Sequence, residues 1–431
     1  MAEEKVEVVV VGAGLAGLAS AYFLADSGCE VLVVERGDYP GSKNVSGGRL
    51  YLQPVQPYLS DLLENAPFER RVVKERLTMM TPNASLTLDF TSERYREDPP
   101  HSCTILRATF DQALSEKVTG KGALVVPGYK VDDLIMEGRR VLGIRAGGAE
   151  VYADVVIAAD GALSFLTEKA GLRAPHDPHN FALGIKEVIE MPAEKLQARF
   201  GVADGQGVAH LFFGSISKGM MGGGFLYTNR TSLSLGLVIG IHGLMTKQPP
   251  IQPHDLMEDF KNRPEVQCLI EGGIPVEYSA HVIPEGAWRT MSGLVTDGFL
   301  AVGDAAGLSF NQAVTVRGMD LALVSGALAA QAILQARQKN DFSAQSLALY
   351  PRLLKDSSLY QDMLTFRQVP QVLSNPRLLM EYPQAVCDLL EEIMWIDSRP
   401  KKKISSTVLR VLSKKFLTPT TLADLWTLRR L

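Results

Sequence analysis

Residues 6–37 read VEVVVVGAGLAGLASAYFLADSGCEVLVVERG. A β-branched run from Val6 to Val11, broken only by Glu7, is the pattern of a buried strand, and the glycines that follow end it abruptly. LASAYFLAD then has helical spacing and stops at Gly28, and VLVV is strand again. Strand, glycine turn, helix and strand within about thirty residues make a βαβ unit with a right-handed crossover. Its turn carries Gly12, Gly14 and Gly17 in GxGxxG spacing, with Ala16 between the last two. In that context Gly12 allows the tight turn, Gly14 lets backbone approach a pyrophosphate, and Gly17 brings helix close to strand. The helix N-terminus then points unpaired amides at the phosphates. Glu35, at the tip of the second strand and followed by Arg36, is placed to accept ribose hydroxyls and to repel a 2′-phosphate.

Working outward, 431 residues exceed what one hydrophobic core normally serves, so two or three packed units are expected. A net charge of -4 argues against a nucleic-acid partner. The four cysteines, Cys29, Cys103, Cys268 and Cys387, are far apart, which gives neither CxxC metal spacing nor a disulfide framework. No HExxH pair and no GxSxG elbow occurs, so neither a metalloprotease-type zinc site nor an esterase-type nucleophile is supported. The first residues are acidic and run directly into strand, unlike a secretory signal, and no run reaches about 18 continuous apolar residues. A cytoplasmic chain that does not cross a bilayer is expected.

Residues 37–51, GDYPGSKNVSGGRLY, form a loop rich in Gly, Ser and Asn. RVVKERLTMM and SLTLDFTS read as a hairpin around Pro82 and Asn83. TILRATFDQAL starts as strand and becomes helix, residues 123–161 are sheet again, and residues 175–290 are β-rich with a helix or two. Beyond residue 320 helical spacing dominates. The expected fold class is α/β: a Rossmann-like dinucleotide domain (1–70, 100–170 and 290–335) interleaved with a mixed or antiparallel β-sheet substrate domain (71–99 and 171–289). A helical C-terminal region (336–431) completes it.

A dinucleotide turn alone does not separate FAD from NAD. Three later elements bear on the choice: Arg107 where a strand passes into a helix, Asp160 and Gly161 closing VVIAADG, and Gly303 and Asp304 closing FLAVGDAAG. In this order they resemble the glutathione-reductase-fold flavoproteins of the p-hydroxybenzoate hydroxylase branch. The resemblance implies FAD, with Asp304 accepting a hydrogen bond from a ribityl hydroxyl and Gly303 giving the cofactor clearance. SFNQAVTVRGMDLAL would run beneath the isoalloxazine and open a helix whose amides favour a reduced, anionic flavin edge. Family members often carry two glycines there; this chain has Val316 and Gly318. The cofactor residues implied are Gly12, Gly14, Ala16, Gly17, Glu35, Arg36, Arg107, Val131, Asp160, Gly161, Gly303, Asp304, Val316 and Gly318.

Within that branch, VERGDYPGSKNVSGGRLY (34–51), GMMGGGFLYTN (219–229), EYSAHVIPEGA (277–287) and FLAVGDAAG (299–307) resemble the FixC-like electron transfer flavoprotein-quinone oxidoreductases over nearly the whole chain. That resemblance implies an electron transfer flavoprotein as donor and a quinone or a separate ferredoxin-like iron–sulfur protein as acceptor. Ser46, Gly47 and Gly48 are the candidates for the flavin-facing loop, with Lys43 and Arg49 as flanking cations and His281 as a candidate acid or base. A flavin monooxygenase or a prenyl reductase of geranylgeranyl type shares the branch and stays open, as does a flavin-binding subunit without turnover. The tail from residue 400 is basic, with apolar Val408, Leu409, Leu412, Phe416 and Leu417, which suits peripheral contact with an anionic membrane or an acidic partner.

Overall fold

The computed structural model describes residues 4–44 and 48–431. β1 (Glu4–Val11) is buried from Val8 onward, as its unbroken β-branched run requires. It lies between β10 (Ala149–Ala158) and β2 (Val31–Val34), parallel to both. The parallel core extends to β17 (Phe299–Ala301) beside β10 and to β7 (Leu124–Val126) beside β2. Three antiparallel strands finish this sheet: β9 (Arg140–Ala146) on the first half of β10, β8 (Val131–Glu137) on β9, and β16 (Val295–Thr296) on β17.

Two helices cover the sheet on one side, Leu15–Asp26 and Met319–Gln338, and both are buried along most of their length. They meet backbone to backbone: a Cβ on Gly326 would stand 2.3 Å from the Ala16 carbonyl oxygen. Met319–Gln338 is the one described helix long and apolar enough to span a membrane, and here it is packed into the core.

The second sheet has nine strands in the order β15-β11-β14-β13-β12-β4-β6-β3, with β5 on the free side of β4. Their spans are β3 (Gly48–Tyr51), β4 (Arg71–Met80), β5 (Ser85–Thr91), β6 (Ser102–Ile105), β11 (Phe181–Glu190), β12 (Gln206–Gly214), β13 (Gly222–Thr228), β14 (Ser232–Gly240) and β15 (Ile274–Pro284). β12 and β4 run parallel, and the other pairs are antiparallel. Thus 48–51 and 102–105, which fall within the stretches expected for the dinucleotide domain, pair with the second sheet instead. Period-two alternation sorts its faces. Leu226, Leu235, Leu237 and Phe212 pack under the helices Ala193–Phe200, Pro253–Lys261 and Pro264–Ile270, while the opposite face looks across at the first sheet. A small hairpin of β18 (Phe310–Asn311) and β19 (Val316–Arg317) precedes Met319–Gln338. Short helices follow to Leu431.

Candidate functional site

Between the two sheets lies a cavity of about 900 Å³. One end is the glycine turn. Gly12 has φ +104, and a Cβ there would stand 2.4 Å from the Ala159 carbonyl oxygen, so only glycine fits. A Cβ on Gly17 would come within 2.0 Å of the Gly12 oxygen, the close helix-to-turn packing its spacing predicts. Gly14 differs: a Cβ there meets nothing nearer than 3.8 Å, so its missing side chain opens space for a ligand rather than relieving a clash. Gly14 caps Leu15–Asp26 without a side-chain hydrogen bond, and the first turn holds no acid, leaving its amides directed at the cavity.

Glu35 is buried at the end of β2. Its Oε2 accepts from the Ala13 amide at 2.8 Å and its Oε1 from the Gly37 amide at 2.6 Å. It therefore fastens the glycine turn to β2 as well as lining the cavity. Arg36 is exposed at the rim. Val131 begins β8 and lines the same end, as do Asp160 and Gly161 at the end of β10, where Gly161 has φ +87. Asp160 Oδ1 is buried with no hydrogen-bond partner among the described residues, and burial raises this carboxyl to about 6.

Arg107 reaches the cavity from the start of the helix Arg107–Gly120. Its Nε and Nη2 donate to the two oxygens of Asp111, each at 2.7 Å, and Asn44 Nδ2 donates to Asp111 Oδ2 at 2.7 Å. Asp111 is fully buried and holds the arginine in place, a role the i,i+4 spacing in RATFD signals but which the sequence reading missed.

Gly303 and Asp304 start a 3-10 turn after β17. Gly303 has φ +55, and a Cβ there would stand 2.8 Å from that of Ala16. The Asp304 carboxyl lines the cavity with no hydrogen-bond donor among the described residues. Burial raises it to about 6, against the opposing pull of the Arg107 guanidinium. An acid held this way is costly unless something else donates to it. Val316 sits on β19 opposite Asn311, and Gly318 caps Met319–Gln338, where a Cβ would stand 3.1 Å from that of Ser309 and 3.8 Å from Asp304 Oδ1. The glycine at 318 therefore keeps the turn open beside Asp304, while the residue at 316 belongs to a hairpin that tolerates a side chain.

Ser46 and Gly47 lie outside the described residues. Gly48 opens β3, where a Cβ would press on Met319 Cε at 2.9 Å. Arg49 is no solvated cation: its Nη1 and Nη2 grip Glu75 at 2.9 and 2.5 Å and its Nε donates to Ser102 at 2.9 Å, over the ring of Tyr51. Lys43 is exposed at the rim. His281 faces the cavity opposite Gly184, with burial first and then Arg107 and Arg36 lowering its pKa.

Three cavity residues were not singled out from sequence. Glu285 is buried, accepts from Asn311 Nδ2 at 3.3 Å, and is raised by burial to about 7. Lys186 is 1% exposed on β11 and is lowered by burial to about 7. Tyr227 on β13 lies near Thr315, and burial raises its phenol. At the far end Leu373, Leu378, Leu379 and Leu428 from the C-terminal helices make an apolar neck.

A carboxyl without a donor at Asp304, an unpartnered carboxylate oxygen at Asp160 and an uncapped helix N-terminus facing one long cavity fit a ligand that carries hydroxyls at one point and phosphates at another. Residues 7–97 match the family model described as FAD dependent oxidoreductase. The fold and the site are those of an FAD-dependent oxidoreductase. Residues 181–283 match the model for "ETF-QO, ubiquinone-binding", and residues 369–431 the ETF-QO/FixC family C-terminal domain. The chain is 43% identical over 410 residues to the probable electron transfer flavoprotein-quinone oxidoreductase YdiS of Escherichia coli (strain K12), covering 95% of each. It is 40% identical over 410 residues to Protein FixC of the same strain, again 95% of each. The chain belongs to the ETF-QO/FixC family.

Among solved structures, a geranylgeranyl bacteriochlorophyll reductase-like protein from Thermoplasma acidophilum shares the fold with TM-score 0.73 and 21% identity over 99% of this chain and 100% of that one. The halogenase PltM in complex with phloroglucinol and FAD does so with TM-score 0.63 and 14% identity over 90% and 79%.

Proposed function

We propose that the protein takes electrons from an electron transfer flavoprotein and passes them through FAD to a quinone, with a separate ferredoxin-like iron–sulfur protein as a further acceptor. The observation that carries this is the makeup of the cavity. One wall carries the dinucleotide turn and the donor-starved Asp304, and the other belongs to the stretch matched by the ubiquinone-binding model. FAD supplies the redox step by accepting and releasing electrons singly or in pairs.

In this reading the amides of Leu15–Asp26 and Gly14 hold the pyrophosphate, with Ala16 in the helix's first turn. Glu35 and Arg36 hold the adenosine ribose beside Val131, Arg107 and Asp160 flank the phosphates, and Gly161 keeps the turn open. Asp304 accepts from the ribityl chain next to Gly303. Gly318 and Val316 lie beneath the ring, and Ser46, Gly47 and Gly48 form the loop that faces it. The first sheet with Leu15–Asp26 and Met319–Gln338 is then the cofactor unit, and the second sheet the acceptor unit.

The neck supports delivery of a lipid-dissolved substrate. The helix Pro419–Leu428 puts Leu428 into the cavity wall and leaves Leu422, Leu425 and Trp426 outside, and Trp395 and Ile396 are exposed as well. Exposed Leu409, Leu412 and Leu417 alternate with Lys414, Lys415 and Arg410 on the preceding turns. Such a face suits the headgroup region of an anionic membrane, so we place the protein peripherally on a bilayer. The test is anaerobic mixing of the dithionite-reduced protein with a short-chain ubiquinone analogue, and of the oxidised protein with reduced electron transfer flavoprotein. Reoxidation by the first and reduction by the second are expected. Failure of both exchanges, with oxygen uptake stimulated by a phenol instead, would replace this reading with a monooxygenase.

A further inference from the structure

β11 carries adjacent charged residues, Lys186 and Glu187, on opposite faces of the second sheet. Glu187 faces the helical side, where Lys261 Nζ donates to it at 3.0 Å. That acid is spent on the far face. Lys186 is on the cavity side, in a row set by the strand register: Ser279 opposite on β15, Gly236 opposite on β14, and Phe225 beyond it on β13. A Cβ on Gly236 would meet the Phe225 ring at 2.5 Å, so the missing side chain lets that ring lie over Gly236 in this row. A lysine so thoroughly buried is rare in a sheet that could place an apolar residue there. It lines the cavity and belongs to the stretch, 181–283, that matches the ubiquinone-binding model.

We propose that Lys186 donates a proton to the quinone oxygen as electrons arrive from the flavin. The proposal rests on the quinone reading above. Quinone reduction to quinol takes two electrons and two protons. Two electrons and one proton come from the reduced, singly protonated flavin; the other proton leaves Lys186 Nζ, so one N–H bond breaks as one O–H bond forms on the quinone. Lys186 then recovers its proton from solvent. Charged groups that act on Lys186 include Glu277, two positions along β15 on the same face, and Arg107 across the cavity; His281 lies on the other side of Ser279, and Tyr227 follows Phe225 on β13. Burial outweighs Glu277 and leaves the ammonium near half-ionised around pH 7, where a proton is easily given up and regained.

The test uses the reduced, FAD-loaded full chain in stopped flow against two acceptors, a short-chain ubiquinone analogue, which needs protons, and ferricenium, which takes electrons alone. Lys186→Met keeps the stem volume and removes the acid. The quinone-to-ferricenium rate ratio is expected to fall about 100-fold, and the wild type's decline in quinone rate as pH rises through about 7 to vanish. The flavin midpoint potential, read by dye titration, separates this from a change in flavin energetics and is expected to stay at the wild-type value. Lys186→Arg keeps charge but releases no proton in this pH range, and is expected to resemble Lys186→Met. An unchanged ratio in Lys186→Met, a shift in potential that accounts for the lost rate, or full rescue by Lys186→Arg overturns the proposal. A wild type that reduces ferricenium but no quinone overturns the quinone reading itself, and the Lys186 step with it.

Discussion

Asp304→Ala separates what this acid does for the fold from what it does for the cofactor. The carboxyl is half-buried in the cavity wall, and its pKa in the folded apoprotein is raised from 3.8 to about 6, chiefly by desolvation. A carboxyl whose folded pKa lies above its unfolded value costs nothing at low pH. Stability is then lost as pH rises from about 4 through 6, because the unfolded chain ionises first. Two units at about 1.4 kcal/mol each set the penalty near 3 kcal/mol at neutral pH as an upper figure. The apoprotein of Asp304→Ala is therefore expected to be about 1–3 kcal/mol more stable than wild type at pH 7.5, with the gain gone at pH 4. Affinity for FAD moves the other way. Losing a hydrogen bond to a charged acceptor costs about 1.5–3 kcal/mol, which raises Kd about 10- to 150-fold. Urea unfolding of flavin-stripped protein at the two pH values, with FAD titration followed by fluorescence quenching, reads both effects. An apoprotein no more stable at pH 7.5, or one that binds FAD as tightly as wild type, refutes the assignment of Asp304 as an acid waiting for a ligand donor.

Two glycine substitutions are expected to split fold from binding. Gly12→Ala forces a Cβ to 2.4 Å from a carbonyl oxygen at φ +104 and should cost more than about 2 kcal/mol, seen as lost soluble yield or a lowered Tm. Gly14→Ala has room in the protein and should keep the wild-type apoprotein Tm while weakening FAD, measured by titration. Arg107→Met strands the buried Asp111 carboxylate and should destabilise by about 3–5 kcal/mol, whereas Arg107→Met with Asp111→Leu should recover most of that in a double-mutant cycle of urea unfolding. Leu425→Glu with Trp426→Glu should lower flotation with anionic liposomes several-fold at unchanged flavin content; equal flotation contradicts membrane contact through the tail.

The glycine-turn wall of the cavity was legible because its geometry is local. Gly12, Gly14 and Gly17 act through backbone within one turn, β1 and β2 carry the continuous apolar runs Val8–Val11 and Val31–Val34, and Asp304 is conspicuous as an acid ending an apolar strand. Other groups depend on tertiary context. Lys186 in LGIKEVIE has the alternation of any half-exposed strand, and sequence does not say that its face meets a cavity rather than water. Arg49 looked like a surface cation because its partners Glu75 and Ser102 come from other strands of the second sheet. The β18–β19 hairpin has strands of two residues and reverses with Ala313 at φ +71, where no Asn-Gly or Asp-Gly marks the turn. Asp111 carried a usable i,i+4 signal that went unread.

The central claim is that one FAD stretches across the cavity from the glycine turn to Asp304. Titrating FAD into flavin-stripped wild-type protein, with absorbance and fluorescence followed together, tests it most directly: binding should saturate at one FAD per chain, and Gly14→Ala and Asp304→Ala, at opposite ends, should each weaken it without abolishing the fold. A chain that stays colourless in excess FAD, or whose affinity ignores both substitutions, contradicts the account.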